Sequence, residues 1–276
     1  MKISELKKDA KVRLTGIYPR LFGMYLVYSI YTLATSFLLT QLEEAFGTSL
    51  AYLLATLVVF LIDVPLIYGT AITTLGAIRN EDFNIFSFIS RGFKNFGKIW
   101  KTTLRLIVRL AIPMIIVIVT YMLFIIFLTL FMLNNFQGEI VGLPEGIDFS
   151  SIPTVTVAQL LVFGLLALAA MVYFFIKNLN YATLNFVLAD NNNLTAKEVL
   201  NKTKELMTGY KLKYVGLNLS FIFYYIAIIF AFLFTFIYNP FSGIIVLYAL
   251  FALLNPYIVG SQICLYEDSR ENNNVA

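Results

Sequence analysis

Leu57–Thr70 reads LVVFLIDVPLIYGT. It lies inside an apolar run from Leu50 to Ile78, long enough to cross a bilayer as a helix. Asp63 sits near its centre and Pro65 two residues on. An acid at mid-membrane costs roughly 2.5–3.5 kcal/mol on insertion scales. Proline there frees a carbonyl one turn back and kinks the helix. Two readings stand: a packed kink with a protonated, hydrogen-bonded Asp63, or a polar site at the membrane midplane.

The rest of the chain has the same character. Of its 276 residues 59% are hydrophobic and 13% charged, about half the charge of a soluble domain. Histidine is absent and Cys264 is the single cysteine, so an intrachain disulfide is excluded and His- or Cys-based metal sites and catalytic dyads nearly so. No cofactor is expected. The basic residues flank apolar spans, which argues against a nucleic-acid partner.

The expected fold is all-α: a polytopic membrane protein with six transmembrane helices over residues 21–40, 50–78, 104–133, 155–189, 214–238 and 244–264, forming one domain over 1–276. Three basic amphipathic helices, at 3–17, 85–101 and 195–210, are expected in the membrane interface. In the first, Ile3, Leu6, Ala10, Leu14 and Ile17 share a face opposite Lys7, Lys8, Lys11 and Arg13. In the second, Ile85, Ile89, Phe93, Phe96 and Trp100 form a stripe with Arg91, Lys94, Lys98 and Lys101 between. In the third, the capping box Thr195/Glu198 starts a helix with Val199, Thr203, Leu206 and Tyr210 on one face and Lys197, Lys202 and Lys204 away from it. These basic residues and Trp100 are the expected lipid contacts. Arg105 and Arg109 read as cations snorkelling to phosphates. Residues 134–156 form a loop with Glu139, Glu145 and Asp148 and no base, and Pro144 and Pro153 argue against helix through it. A cleaved signal peptide is not expected, because the cleavage pattern is missing and the chain re-enters the membrane repeatedly.

The basic residues set orientation. Residues 1–20 carry six, 79–109 seven and 197–213 five; the others are Arg270 and Lys177. None falls in the loops after spans 1, 3 and 5. Both termini are therefore expected in the cytoplasm.

A threefold unit recurs: a basic amphipathic helix, then a two-span hairpin. Leu14-Thr15-Gly16 is followed by Gly23, and Met207-Thr208-Gly209 by Gly216, at the same spacing. Pro65 is followed by Gly69-Thr70, Pro256 by Gly260-Ser261, and Asn178 by Ala182-Thr183. The unit is either a true repeat or a chance match of restricted composition. In that alignment Asp63, Lys177, Asn178 and Asn255 fall at equivalent depths, with kinks at Pro65 and Pro256. Lys177 lies about a dozen residues, ~18 Å, from the end of its span. The four are a candidate intramembrane cluster in which Lys177 is the counter-charge of Asp63, or a buried pair with capped kinks that only fixes packing.

LADNNNLTAKEVLNKTKELMTGYKLKYVGLNLSF (Leu188–Phe221) and NPYIVGSQICLYED (Asn255–Asp268) resemble a bacterial family of integral membrane proteins catalogued as domain of unknown function 975. The resemblance rests on Leu206, Met207, Gly209, Tyr210 and Lys211, on Leu217, Leu219, Ser220 and Phe221, and on Pro256, Tyr257, Tyr266 and Glu267. ISELKKDAKVRL at the start fits as well. Phe223-Tyr224 depart from a glycine-tryptophan common in the family, and the 134–156 loop is longer. The resemblance implies a multi-pass protein of a bacterial plasma membrane and no catalytic or binding residues.

The function expected is a non-enzymatic membrane interaction, envelope-stress, immunity or assembly factor, with anionic lipids of the cytoplasmic leaflet and an unidentified protein as partners. The alternative is a transporter or permease-like subunit that passes a small molecule, lipid or peptide through the midplane cluster. An enzyme is not expected, since general acid–base groups are scarce.

Overall fold

A computed structural model of the chain describes residues 1–135, 156–191 and 193–274. The acidic loop with Glu139, Glu145, Asp148, Pro144 and Pro153 lies outside the described residues. Every regular element among those described is helical: α1 Ile3–Leu14, α2 Tyr18–Phe46, α3 Leu50–Ile78, α4 Ser87–Lys94, α5 Phe96–Asn135, α6 Val157–Leu179, α7 Leu184–Asp190, α8 Ala196–Leu206, α9 Lys211–Leu219, α10 Ile222–Tyr238 and α11 Pro240–Asn274. Six helical stretches are long and apolar enough to cross a membrane, and the chain is a multi-pass membrane protein. Contacts divide it into two compact units: Met1–Thr103 with Tyr181–Ala276, and Leu104–Asn180.

The smaller unit holds most of α5 and all of α6. Few of its side chains are buried, and α5 meets α6 where Phe127 stacks on Phe163. Such a surface is stable only against acyl chains or other apolar groups. α6 opens on a capping box, Thr156 with Gln159, and closes where the Asn180 side chain donates to the Lys177 carbonyl.

In the larger unit the three amphipathic segments are packed elements. α1 lies on α9 and α11, with Leu6, Ala10 and Leu14 buried into a core that contains Leu217, Phe221, Leu254, Ile258 and Leu265. α4 lies on α3, and α8 lies on α7. Each amphipathic helix thus rests on the hairpin of the unit before it, and α1 closes the cycle on the third. The threefold pattern has a local counterpart too: Gly16 and Gly209 both carry positive φ, +85° and +83°, at the turn from amphipathic helix into span. Side chains other than glycine rarely take that conformation.

The second segment departs from the expected single helix over 85–101. It breaks at Asn95 (φ −117°, ψ 33°), and Phe96–Lys101 belong to the span helix α5. The reason is close packing of α4 on α3. A Cβ on Gly69 would strike the Phe88 carbonyl, and one on Gly92 would strike the Pro65 carbonyl. The two glycines let the backbones meet, as small residues do where membrane helices cross. α4 follows that contact, and α5 takes the direction of a span. Spans 4 and 5 are also interrupted, at 180–183 and at Ser220-Phe221.

α3 is buried on one side of its proline only. Every buried residue in it lies from Pro65 onward. Before Pro65 the helix exposes Leu50, Leu53, Leu54, Leu57 and Val58.

Candidate functional site

The groups that converge most closely come from the ends of the even-numbered spans. α3 ends at Ile78, and the chain turns through Asn80 at φ 63°. The turn is closed by Glu81 N–H donating to the Gly76 carbonyl at 2.9 Å. This places Arg79 over the ends of α7 and α11. Its Nη1 and Nη2 donate to the two oxygens of Asp190 at 2.6 and 3.0 Å, and its Nε donates to Glu267 at 3.1 Å. Asp190 also accepts from Tyr266 Oη and Arg270 Nη1, each at 2.9 Å. Glu267 accepts from Arg13 Nη1 at 2.5 Å, and Arg13 pairs with Asp9 at 2.9 Å.

The result is an open, linear network of three guanidinium and three carboxylate groups, in the order Arg270, Asp190, Arg79, Glu267, Arg13 and Asp9, drawn from α1, α7, α11 and the end of α3. Asp190 and Glu267 are 14% and 16% exposed. The hydrogen bond to Asp190 holds the Arg79 guanidinium above its ordinary range, so it stays charged wherever the fold exists. Bidentate Arg–carboxylate pairs are directional as well as strong. With every acid matched to a cation, the network clamps these helices together.

Around it, each amphipathic helix donates to the span end it rests on. Arg13 of α1 reaches Glu267, and Arg91 of α4 reaches Glu81 at 2.9 Å. Lys202 of α8 reaches the Asn191 side chain at 2.9 Å, and Lys98 reaches the Asn191 carbonyl at 2.6 Å. A polar cleft of about 590 Å³ lies beside Arg79, lined by Glu81, Arg91, Lys94, Asn95 and Asp190. Asp268 forms a second knot with Lys213 at 2.7 Å and Asn272 at 3.2 Å. Among the described residues no group of three or more His, Cys, Asp or Glu side chains is placed to hold a metal ion.

The midplane residues lie elsewhere. Asp63 sits on α3 near Tyr28 and Tyr31 of α2. Its Oδ1 and the Tyr31 hydroxyl are buried without a hydrogen-bond partner. Asn255 is half-buried ahead of Pro256. Asp63 and Asn255 belong to the larger unit, and Lys177 and Asn178 to the smaller. Lys177 lies 5.2 Å from the ring centre of Tyr173, and Asn178 is exposed.

The expected lipid contacts divide. Lys8, Lys11, Lys94, Lys101, Lys197 and Lys204 are exposed. Arg13, Arg91, Lys98 and Lys202 are bonded to protein as above. Trp100 is buried against Phe60 and Phe96. Lys7 donates to the Ser220 carbonyl at 3.2 Å, which the break between α9 and α10 leaves open, and its Nζ sits 4.3 Å from the Phe221 ring centre. Burial pushes the Lys7 amine down.

The network is not legible in the sequence where charges at span ends serve only as topology signals. One signal was present: Asp190 follows Asn178 by twelve residues, as Asp268 follows Pro256, and Tyr266-Glu267 close the last span. No curated protein and no solved structure matches the chain. The family model described as "Protein of unknown function (DUF975)" matches residues 1–273, and the chain belongs to that family.

Proposed function

We propose that the protein is a non-enzymatic membrane interaction protein of a bacterial plasma membrane, both termini cytoplasmic, whose basic end grips anionic headgroups. The observation that supports this is the division of charge at that end. Asp9, Glu81, Asp82, Asp190, Glu267 and Asp268 are all paired with cations of the chain. Lys8, Lys11, Lys94, Lys101, Lys197 and Lys204 are exposed and form no ion pair among the described residues. Glu5, Glu198, Glu205 and Glu271 are exposed acids outside these ion pairs, and the six exposed lysines outnumber them. Each lysine near an anionic surface is worth about 1 kcal/mol. An envelope-stress, immunity or assembly role is consistent with such a protein.

The test is the composition of lipid around the protein. Chains extracted with their surrounding bilayer from vesicles of mixed phosphatidylglycerol and phosphatidylcholine are expected to enrich phosphatidylglycerol several-fold. Changing Lys94, Lys101, Lys197 and Lys204 together to Glu is expected to abolish the enrichment without loss of fold. Equal lipid composition around both proteins would contradict the reading.

One observation favours a second reading, a conduit. The unpartnered Asp63 and Tyr31 are groups that a proton or small cation would satisfy. Ion flux into vesicles that Asp63→Asn abolishes would support it.

A further inference from the structure

A groove of about 730 Å³ lies between α10 and α11 in the larger unit. Its walls are apolar: Ala227, Ile228 and Ala231 on α10, Leu250 and Leu254 on α11. Ala227 and Ala231 are one turn apart, and their small side chains leave the space open. From Tyr224 to Ala231 the groove runs along two turns of α10, about 10 Å at 1.5 Å per residue. An aqueous ligand gains nothing from such walls, and an alkyl chain gains about 0.8 kcal/mol per buried methylene.

One end of the groove is different. Lys11 and Thr15 of α1 stand at its mouth with Tyr18, Tyr224 and Tyr257. The Tyr18 hydroxyl is spent on the Leu253 carbonyl. The hydroxyls of Tyr224 and Tyr257 have no partner among the described residues. Lys11 is exposed and forms no ion pair among them. Lys7, one turn before it, lies 5.7 and 5.8 Å from the ring centres of Tyr224 and Tyr257. It spends one of its three N–H donors on Ser220. No acid lines the mouth. Two cations and two free phenols beside an apolar slot form an anion site joined to an alkyl site.

We propose that this groove holds one membrane lipid with an anionic phosphate head, its acyl chain between α10 and α11 and its phosphate between Lys7, Lys11, Tyr224 and Tyr257. The site deepens the membrane-interaction reading: the headgroup preference rests on it, and the seat for the chain does not. α1 is then both a buried part of the core and the reader of the headgroup.

The test uses the full chain purified in detergent, mixed with equal amounts of phosphatidylglycerol and phosphatidylcholine, with bound lipid counted by native mass spectrometry. One phosphatidylglycerol per chain is expected, preferred about thirtyfold over phosphatidylcholine, the scale set by two lysines near a phosphate. Ala227→Phe with Ala231→Phe fills the slot and is expected to remove the lipid. Lys11→Gln, at an exposed position, is expected to bring the preference down towards parity while a lipid still binds. Should the double phenylalanine variant fail to fold, Ala231→Val and Lys11→Gln carry the same test. The proposal is overturned if the filled variants keep lipid as the wild type does, if the two lipids are retained equally, or if millimolar inorganic phosphate displaces the lipid, which would mark a site for free anions. The variant with Lys94, Lys101, Lys197 and Lys204 reversed is expected to keep this one lipid. Loss of surface enrichment and loss of the groove lipid are therefore separate results.

Discussion

The two halves of α3 belong to one apolar run and have opposite surroundings, and the more apolar half is the exposed one. Leu50–Val64 turns its leucines outward, with Leu50 at 71% and Leu57 at 51% exposed. Pro65–Ile78 is the buried post of the larger unit, with Leu75 at 2%. α11 divides in a similar place: from Ala252 on, close to Pro256, its side chains are mostly buried. Apolar composition therefore marks what can enter a membrane without saying which part meets lipid and which meets protein. Small and hydroxylated residues mark the second: Gly69, Thr70, Thr73, Thr74 and Gly76 all lie after the proline. With no hydrophobic drive between helices in lipid, close backbone contact and polar bonds hold the packed half together.

The sharpest way to break this contrast is at the ion-pair network. Arg79→Ala leaves Asp190 and Glu267 short of a shared cation, and is expected to cost about 3 kcal/mol, near the lower end for breaking a largely buried pair. Thermal unfolding in detergent reads it. Arg79→Lys keeps the charge and loses the fork, so a clearly smaller loss is expected. Next comes a paired comparison within α3. Leu75→Ala is expected to cost about 2–3 kcal/mol through a cavity, and Leu57→Ala under about 0.5 kcal/mol, as for a change at an outward site. Equal losses would erase the distinction between the halves. A smaller effect is expected at α8, where Thr195→Ala removes a cap worth about 1 kcal/mol. The smallest concerns acid. Glu198 accepts from the Thr195 backbone N–H, which holds its carboxyl below the ordinary range. A depressed folded-state value stabilises above the unfolded pKa and is lost as pH falls through the folded one. Exchange of the first amides of α8 is therefore expected to quicken as pH falls below the usual glutamate range, and a flat profile would remove Glu198 from the cap.

Much of the fold was legible because a span is a long apolar run and its hydropathy averages over many residues. The break at Ser220-Phe221 is not, because two residues are too few to lower such an average, whereas the polar stretch Lys177–Asn180 does mark the interruption before α7. The amphipathic faces were legible from their period. Their partners were not, since Leu6 and Ala10 pack equally well on lipid or on α11 as far as spacing shows. The ion-pair network is illegible for a related reason. Arg79, Asp190 and Glu267 are far apart in the chain, and only the turn at Asn80 and the short helix α7 bring them together. The third glycine turn that a strict repeat requires is replaced at Asn95, where α4 docks on Gly69 instead.

The account places interaction at the basic, packed half and not at the midplane. The direct measurement is the phosphatidylglycerol retained per chain by three proteins purified side by side: wild type, the variant with Lys94, Lys101, Lys197 and Lys204 changed to Glu, and Asp63→Asn. The account predicts that the lysine variant loses the phosphatidylglycerol held at its surface and keeps only the one groove lipid, and that Asp63→Asn retains as much as the wild type. Surface retention that survives the lysine changes and falls with Asp63→Asn would contradict it.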